Sequence, residues 1–430
     1  MKLLMAGRGV VPVKVGCGGA ELAMYQLAQA LSLVGHDVTL VADAVEEDFA
    51  RVPSLEIVQL DSRAQRLAAR LPSGFFGWIT RHLVGNVVTA RRVRSLIRSG
   101  RQFDVVHVHG NLAAILLSRW TTIPVVYTEH DSTPWSCRYR SWYERLIRKV
   151  VYRAVNVTAF KRATRVATIS ESLRAEIIDR WGLAEARVRT IFNGANFDLF
   201  NPDRGASGEA IVRERYGFER YILFVGSLTA RKAPDLLLHA LVEARDTCCV
   251  FAGNGPMRAK LEVLAQSLGV ADRVAFLGDV APTDLGRLYV DADLVVIPSV
   301  SEGTPLVAFE AMACGTPVLS SRIAGLPELV HDWSTGFLVK PGDVGQLAVA
   351  IRFLTMDIEL LQRMGREAQK TVRKRYLWPN VANEYLHLYF SLVRGDATPQ
   401  ASRAVTAVLV PAPEPTPELA SVAVATEAGE

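Results

Sequence analysis

The chain has 430 residues, 50% apolar and 22% charged, which excludes a disordered chain and, at roughly 150 residues per domain, a single small module. Five cysteines (Cys17, Cys137, Cys248, Cys249, Cys314) without a C-x-x-C pair argue against a disulfide framework or a structural zinc site and fit a reducing compartment. Basic residues number 49 against 44 acidic, and no apolar run is long enough to cross a membrane or to form a signal-peptide core before Gly7-Arg8-Gly9, so the expected location is cytoplasmic.

The chain opens with a predicted strand (Lys2 to Ala6), a long loop, a helix from Ala20 to about Leu33 that ends at Gly35, and a second strand, Asp37 to Ala42. That is a βαβ unit. Strand-length apolar runs follow at Asp104 to His109, Pro124 to Thr128, Arg165 to Ile169 and Val188 to Ile191, separated by helical segments. Near Asn193-Gly194 the pattern resets. A second series has strands at Tyr221 to Val225, Cys249 to Ala252, Arg273 to Leu277, Leu294 to Ile297 and Pro317 to Ser320. Helices then run from Leu347 to Leu354, Ile358 to Arg375 and Pro379 to Leu392. The predicted fold class is α/β: two tandem Rossmann-like doubly wound domains, 1–195 and 196–375, with an interdomain cleft where ligands of such sheets bind. A C-terminal helix, 376–395, is expected to pack back on the first domain. From Asp396 to Glu430 the composition turns to Ala, Val, Pro, Glu and Thr, with prolines at every second position from Pro411 to Pro417, which predicts a disordered tail.

Charge is unevenly placed: residues 1–195 carry 27 basic against 16 acidic side chains, the remainder 22 against 28. Ser62 to Phe103 holds nine arginines and no acid, and Arg138 to Arg165 holds nine basic residues against Glu144 alone. Interleaved Phe75, Phe76, Trp78 and Ile79, and Trp142, Tyr143, Leu146, Ile147 and Tyr152, allow amphipathic helices that touch an anionic membrane surface; a solvated helix face is the plainer alternative. No nucleic-acid-binding module accompanies these residues, so nucleic acid is not an expected partner.

The segment Ser301-Glu302-Gly303-Thr304-Pro305-Leu306-Val307-Ala308-Phe309-Glu310 sets two glutamates eight positions apart. Thr304 suits an N-cap and Pro305 the first helical position, which puts Glu302 in the preceding loop and Glu310 nearly two turns in. Amides at a helix start attract phosphate, whereas carboxylates accept hydrogen bonds from hydroxyls. A sugar nucleotide supplies both groups. A capped helix with one solvent glutamate explains the spacing equally well.

This stretch resembles the E-x(7)-E signature of the large retaining glycosyltransferase family 4, also called group 1, whose members have the GT-B fold. Further motifs agree in order: Gly16-Cys17-Gly18-Gly19-Ala20-Glu21, Gly35-His36-Asp37-Val38, Asn193-Gly194 with Phe200, Phe224 to Asp235, Ala252-Gly253-Asn254-Gly255-Pro256 and Phe276-Leu277-Gly278-Asp279-Val280. The resemblance covers about residues 1 to 392. It implies that Glu310 holds the nucleotide ribose, Glu302 the donor-sugar hydroxyls and Lys232 the donor diphosphate. Gly226, Ser227, Val280, Gly303, Thr304, Pro305 and Leu306 would complete the donor site, with the amides of Gly18 and Gly19 near the leaving diphosphate and His130 near the sugar. Ser227 stands where the family usually has arginine, and Arg231 is expected to supply the missing charge.

Two other patterns are weaker. His107-Val108-His109 offers too few ligands to specify a metal and reads as packing or cleft lining. Asp291-Ala292-Asp293 spells a D-x-D, but it leads into a strand and reads as coincidence. No metal or cofactor is expected. The resulting expectation is a metal-independent, retaining hexosyltransferase of the kind used in polysaccharide or glycolipid synthesis. It would move a sugar from a nucleotide diphosphate donor, with uridine favoured, to a glycan, glycolipid or lipid-linked acceptor at the inner membrane face. A sugar-nucleotide 2-epimerase of the same architecture and a noncatalytic membrane-surface binder remain open alternatives, and an oxidoreductase is the weakest.

Overall fold

The computed structural model describes residues 1–7, 17–43, 45, 52, 54–60, 75–130, 142–203 and 211–395. The predicted tail from Asp396 lies outside the described residues, as does Gly16. The chain divides into two compact units, Met1–Gly194 joined by the segment from Leu377, and Ala195–Tyr376.

In the first unit the strands are β1 (Lys2–Ala6), β2 (Asp37–Ala42), β3 (Leu55–Gln59), β4 (Val105–Val108), β5 (Val125–Glu129), β6 (Arg165–Thr168) and β7 (Val188–Thr190). They form one parallel sheet in the order β3-β2-β1-β4-β5-β6-β7. Its helices are α1 (Gly19–Leu33), α2 (Phe75–Arg98), α3 (Asn111–Trp120), α4 (Trp142–Arg162) and α5 (Glu171–Trp181). Fully buried Leu4, Val106, Val125 and Val166 from the strands meet Ala113, Ala114, Leu117 and Phe160 from α3 and α4, the continuous apolar usage that a sheet covered on both faces requires.

The second unit opens with helix α6 (Ile211–Tyr216). It continues through β8 (Ile222–Val225), α7 (Pro234–Leu241), β9 (Cys249–Ala252), α8 (Arg258–Ser267), β10 (Val274–Gly278), α9 (Pro282–Asp291), β11 (Leu294–Ile297), α10 (Leu306–Ala313), β12 (Val318–Ser321), α11 (Leu326–Leu329) and β13 (Gly336–Val339). Helices α12 (Val344–Met356) and α13 (Ile358–Arg375) close it, and α14 (Trp378–Arg394) returns to the first unit. Strand order is β10-β9-β8-β11-β12-β13, again parallel. Order reverses between β1 and β4 and between β8 and β11, the switch points at whose carboxyl ends open α/β sheets bind ligands.

Two strands escape sequence prediction. Leu55–Gln59 is an edge strand with only Leu55 and Val58 buried, and Gly336–Val339 has three apolar residues, too few to stand out. Asp357 and Asp343 cap α13 and α12 by accepting from the Leu360 and Gln346 amides, so α12 starts before the predicted Leu347. Trp378, buried, donates its indole N–H to Gln26 Oε1 at 2.8 Å, which fixes α14 against α1 within the first unit. Among the described residues no helix is long and apolar enough to cross a membrane.

Candidate active site

The turn after β8 is built by close backbone packing. The Gly226 N–H donates to Ala252 O at 2.9 Å, Leu228 N–H to Asn254 O at 2.9 Å, and Gly253 N–H to Gly278 O at 2.7 Å. A Cβ on Gly253 would run into the Gly226 carbonyl, and Gly253 holds φ +136°, a position for which only glycine is suited. The two glycine-rich motifs after β9 and β10 therefore brace the Gly226 turn.

That turn delivers two cations to one carboxylate. Lys232 folds back over Gly226 and places Nζ 2.5 Å from Glu302 Oε1. Arg231 reaches Glu302 Oε2 at 3.2 Å and the Ser301 carbonyl at 3.4 Å. Ser299 donates its hydroxyl to Oε1 at 2.9 Å. The Val300 N–H donates to Arg231 O at 3.0 Å, tying the two loops together. Glu302 is 5% exposed, Lys232 14% and Arg231 45%, so a shielded carboxylate sits between two cations and the group carries one excess positive charge. Ser227 is exposed.

Glu310 lies in α10. The helix begins one residue later than expected: Pro305, at φ −69° and ψ 138°, is the N-cap and offers no side-chain cap. Proline's fixed φ suits either position, and here ψ places it outside the helix. Glu310 is therefore the fifth helical residue, just over one turn in. Gly303, Thr304, Pro305 and Leu306 are all buried beside it, and the Gly303 carbonyl accepts from the Gly325 N–H at 3.4 Å. Val280 is half-buried in the loop between β10 and α9.

The Glu310 carboxyl is fully enclosed and accepts from the Tyr289 hydroxyl at 2.9 Å. Burial pushes its pKa up to about 7, against the opposing effect of that hydrogen bond. Tyr289 is itself held: its carbonyl accepts from Thr316 Oγ1 at 2.5 Å and its ring meets Phe200 edge-on. Sequence reasoning missed Tyr289, which on an amphipathic helix looks like any core aromatic.

In the first unit, His130 follows β5 and is buried. Its Nε2 lies 2.6 Å from His109 Nδ1, with the rings stacked at 4.9 Å, so one nitrogen carries the shared hydrogen. His107 uses both nitrogens, Nε2 with Thr128 Oγ1 and Nδ1 with the Tyr389 hydroxyl, each at 2.7 Å. Burial pushes its pKa down to about 3 and keeps it neutral. Neighbouring Glu129 accepts from Tyr127 at 2.8 Å and from Asn156 at 2.7 Å. Gly18 caps α1 and Gly19 is its first residue. A Cβ on Gly18 would meet only the movable end of the Glu21 side chain, and one on Gly19 would meet nothing within 4 Å, so neither glycine is sterically required.

Asp293 pairs with Arg220 at 2.9 Å, and burial raises the pKa of both Asp291 and Asp293. The D-x-D is thus a surface ion pair and a helix end. Among the described residues no group of three or more His, Cys, Asp or Glu could hold a metal. On α4, Leu146 is 52% and Val150 59% exposed, and Arg153 one turn on is exposed too. The side chains of Phe75, Phe76, Trp78, Ile79, Trp142, Tyr143, Ile147 and Tyr152 lie outside the described residues.

Comparison with known proteins identifies the family and the fold. The profile of glycosyl transferases group 1 matches residues 212–371, and that of Glycosyltransferase Family 4 matches residues 17–199. Glycogen synthase of Mycobacterium tuberculosis is 30% identical over 416 residues, 93% of this chain and 97% of that one. A glycosyltransferase of Methanocaldococcus jannaschii is 32% identical over 297 residues, 67% of this chain and 75% of that one. In fold, the sucrose-phosphate synthase of Thermosynechococcus elongatus superposes with a TM-score of 0.76 at 24% identity, covering 92% of this chain and all of that one. Anabaena HepE, solved in complex with UDP-glucose, superposes with a TM-score of 0.67 at 19% identity over 91% of this chain and all of that one. Two family profiles spanning both units, and a full-length relative at 30% identity, establish that this chain belongs to the group 1, family 4 glycosyltransferases and has their GT-B fold.

Proposed function

We propose that the chain is a retaining glycosyltransferase that draws on a nucleoside diphosphate sugar, with uridine as the favoured base. The observation that carries this reading is the convergence of Lys232, Arg231 and Glu302 at the switch point of one sheet, with Glu310 just over one turn into the helix that follows. The HepE complexes with UDP and UDP-glucose, similar in fold, support the choice of donor.

In this reading the diphosphate lies against Lys232 and Arg231, near the start of α10. Glu310 accepts the ribose hydroxyls and Glu302 the sugar hydroxyls. As the bond from the anomeric carbon to the phosphate oxygen breaks, its electron pair passes to the phosphate, and the cations stabilise the charge that develops there. The acceptor oxygen bonds to the anomeric carbon from the same face, and its proton goes to the departing phosphate. With Lys232 and Arg231 supplying the charge, the reaction needs no divalent ion. We assign the Gly18 and Gly19 amides to anion binding and His130 to the transfer step.

For the acceptor we infer an anionic or lipid-linked molecule presented at a membrane surface, supported by the basic first unit and by exposed Leu146, Val150 and Arg153 on one face of α4. The test is a donor panel (UDP-, GDP- and ADP-linked hexoses) with anionic and neutral lipid vesicles in the presence of EDTA. NMR of the product would read the anomeric configuration. A retained product from one donor, favoured by anionic vesicles and insensitive to EDTA, is expected. An inverted product, or glycosylation of neutral soluble compounds only, contradicts the proposal.

A further inference from the structure

The ion pairs around Glu302 carry a consequence for turnover. Both of its oxygens are taken, one by Lys232 at 2.5 Å with Ser299 beside it, the other by Arg231 at 3.2 Å. These are the cations that a diphosphate needs. The carboxylate is shielded from water and sits on a loop whose backbone is tied to Arg231 through the Val300 amide, so it cannot retreat into solvent when an anion arrives. An incoming diphosphate therefore meets cations already partly neutralised, and it brings like charge to a carboxylate in a shielded place where repulsion is weakly screened.

We propose that Glu302 is a resident anion that competes with the diphosphate for Lys232 and Arg231, so that the enzyme holds the intact donor but releases the nucleoside diphosphate left after transfer. This rests on the donor-site reading above. An intact donor repays the carboxylate for the lost cations, because its sugar hydroxyls donate to the freed oxygens. The free nucleotide has no sugar and offers no such return. Glu302 thus selects donor over product by a penalty that only the sugar removes, a use of repulsion in specificity.

The test is calorimetric titration of UDP and of inorganic pyrophosphate into the parent protein, Glu302→Gln and Lys232→Met. Glu302→Gln keeps shape and hydrogen bonding but frees both cations. It should bind UDP and pyrophosphate about tenfold tighter or better, while transfer slows and UDP becomes a stronger product inhibitor. Glu302→Asp, which retains the charge but draws it back from both cations, should give a smaller gain in the same direction and serves if the glutamine variant does not fold. UDP binding unchanged or weakened in both variants overturns the inference. Lys232→Met separates that failure from failure of the site itself: if it loses UDP, the donor site stands whatever Glu302 does. If it binds UDP as the parent does, the donor-site reading fails and the inference falls with it.

Discussion

The two sheets share one strand order yet furnish their switch points with different chemistry. At the end of β4 and β5 imidazoles, hydroxyls, amides and one carboxyl bond to one another: His107 between Thr128 and Tyr389, His109 with His130, Glu129 between Tyr127 and Asn156. At the end of β8 and β11 full charges are held in close pairs, and one acid, Glu310, is buried with a phenol rather than a cation. Topology makes a crevice in both; side chains decide its use. In the first arrangement the polar groups bond mainly to one another. The second leaves a surplus positive charge and an under-stabilised carboxylate, which an anionic, hydroxyl-rich ligand would relieve.

The contrast can be broken at either end, and the largest effect is expected in the charged site. Lys232→Met should lower transfer by about 10²–10³-fold, the scale for losing a preorganised charge in the transition state. Arg231→Ala, more exposed, should cost about tenfold through donor affinity. Steady-state kinetics with varied donor would separate the two.

In the histidine cluster the expected loss is stability. His107→Leu leaves the Tyr389 and Thr128 hydroxyls buried without their ring partner and should cost roughly 2–4 kcal/mol in urea unfolding. Because folding holds His107 neutral, its ordinary contribution is present above pH 6.5 and lost as pH falls toward about 3. His107→Leu should lack that component of acid lability.

Glu310 should show the opposite sign. Its folded pKa of about 7 lies above the ordinary carboxylate value, so the stability it confers is present below about pH 4.5 and is lost as pH rises through about 7. Relative to the parent, Glu310→Gln should gain stability across that window. Nucleotide affinity should move the other way, strengthening up to about tenfold per pH unit as pH rises toward 7 and ionised Glu310 becomes available to ribose hydroxyls. A flat profile in Glu310→Gln would tie the effect to this residue.

The smallest effect is at Ala233, which caps α7 in the left-handed region at φ 49°. Ala233→Gly should relieve strain of about 1 kcal/mol and raise the melting temperature slightly.

Much of this architecture was legible in the chain because buried parallel strands appear as uninterrupted apolar runs, and glycines mark the turns that follow them. Leu55–Gln59 was not, since an edge strand is half exposed, and Gly336–Val339 was too short. The site was legible only as separate pieces. Glu302 and Glu310 announce themselves by spacing, but Lys232 lies 70 residues before Glu302, and their ion pair emerges only when β8 and β11 become neighbours. Arg231 was expected beside the phosphate; its contact with Glu302 could not be read from local pattern. Tyr289 carries no motif at all. The N-cap at Pro305 rather than Thr304 reflects a residue whose φ fits two adjacent positions.

The most direct test of the central claim is calorimetric binding of UDP, GDP and ADP to the purified protein in EDTA, in parallel with Glu310→Ala. Binding of one nucleoside diphosphate without a divalent ion, lost or weakened by an order of magnitude or more in the variant, is the predicted result. Binding that requires a divalent ion, or that is equally strong in Glu310→Ala, would contradict it.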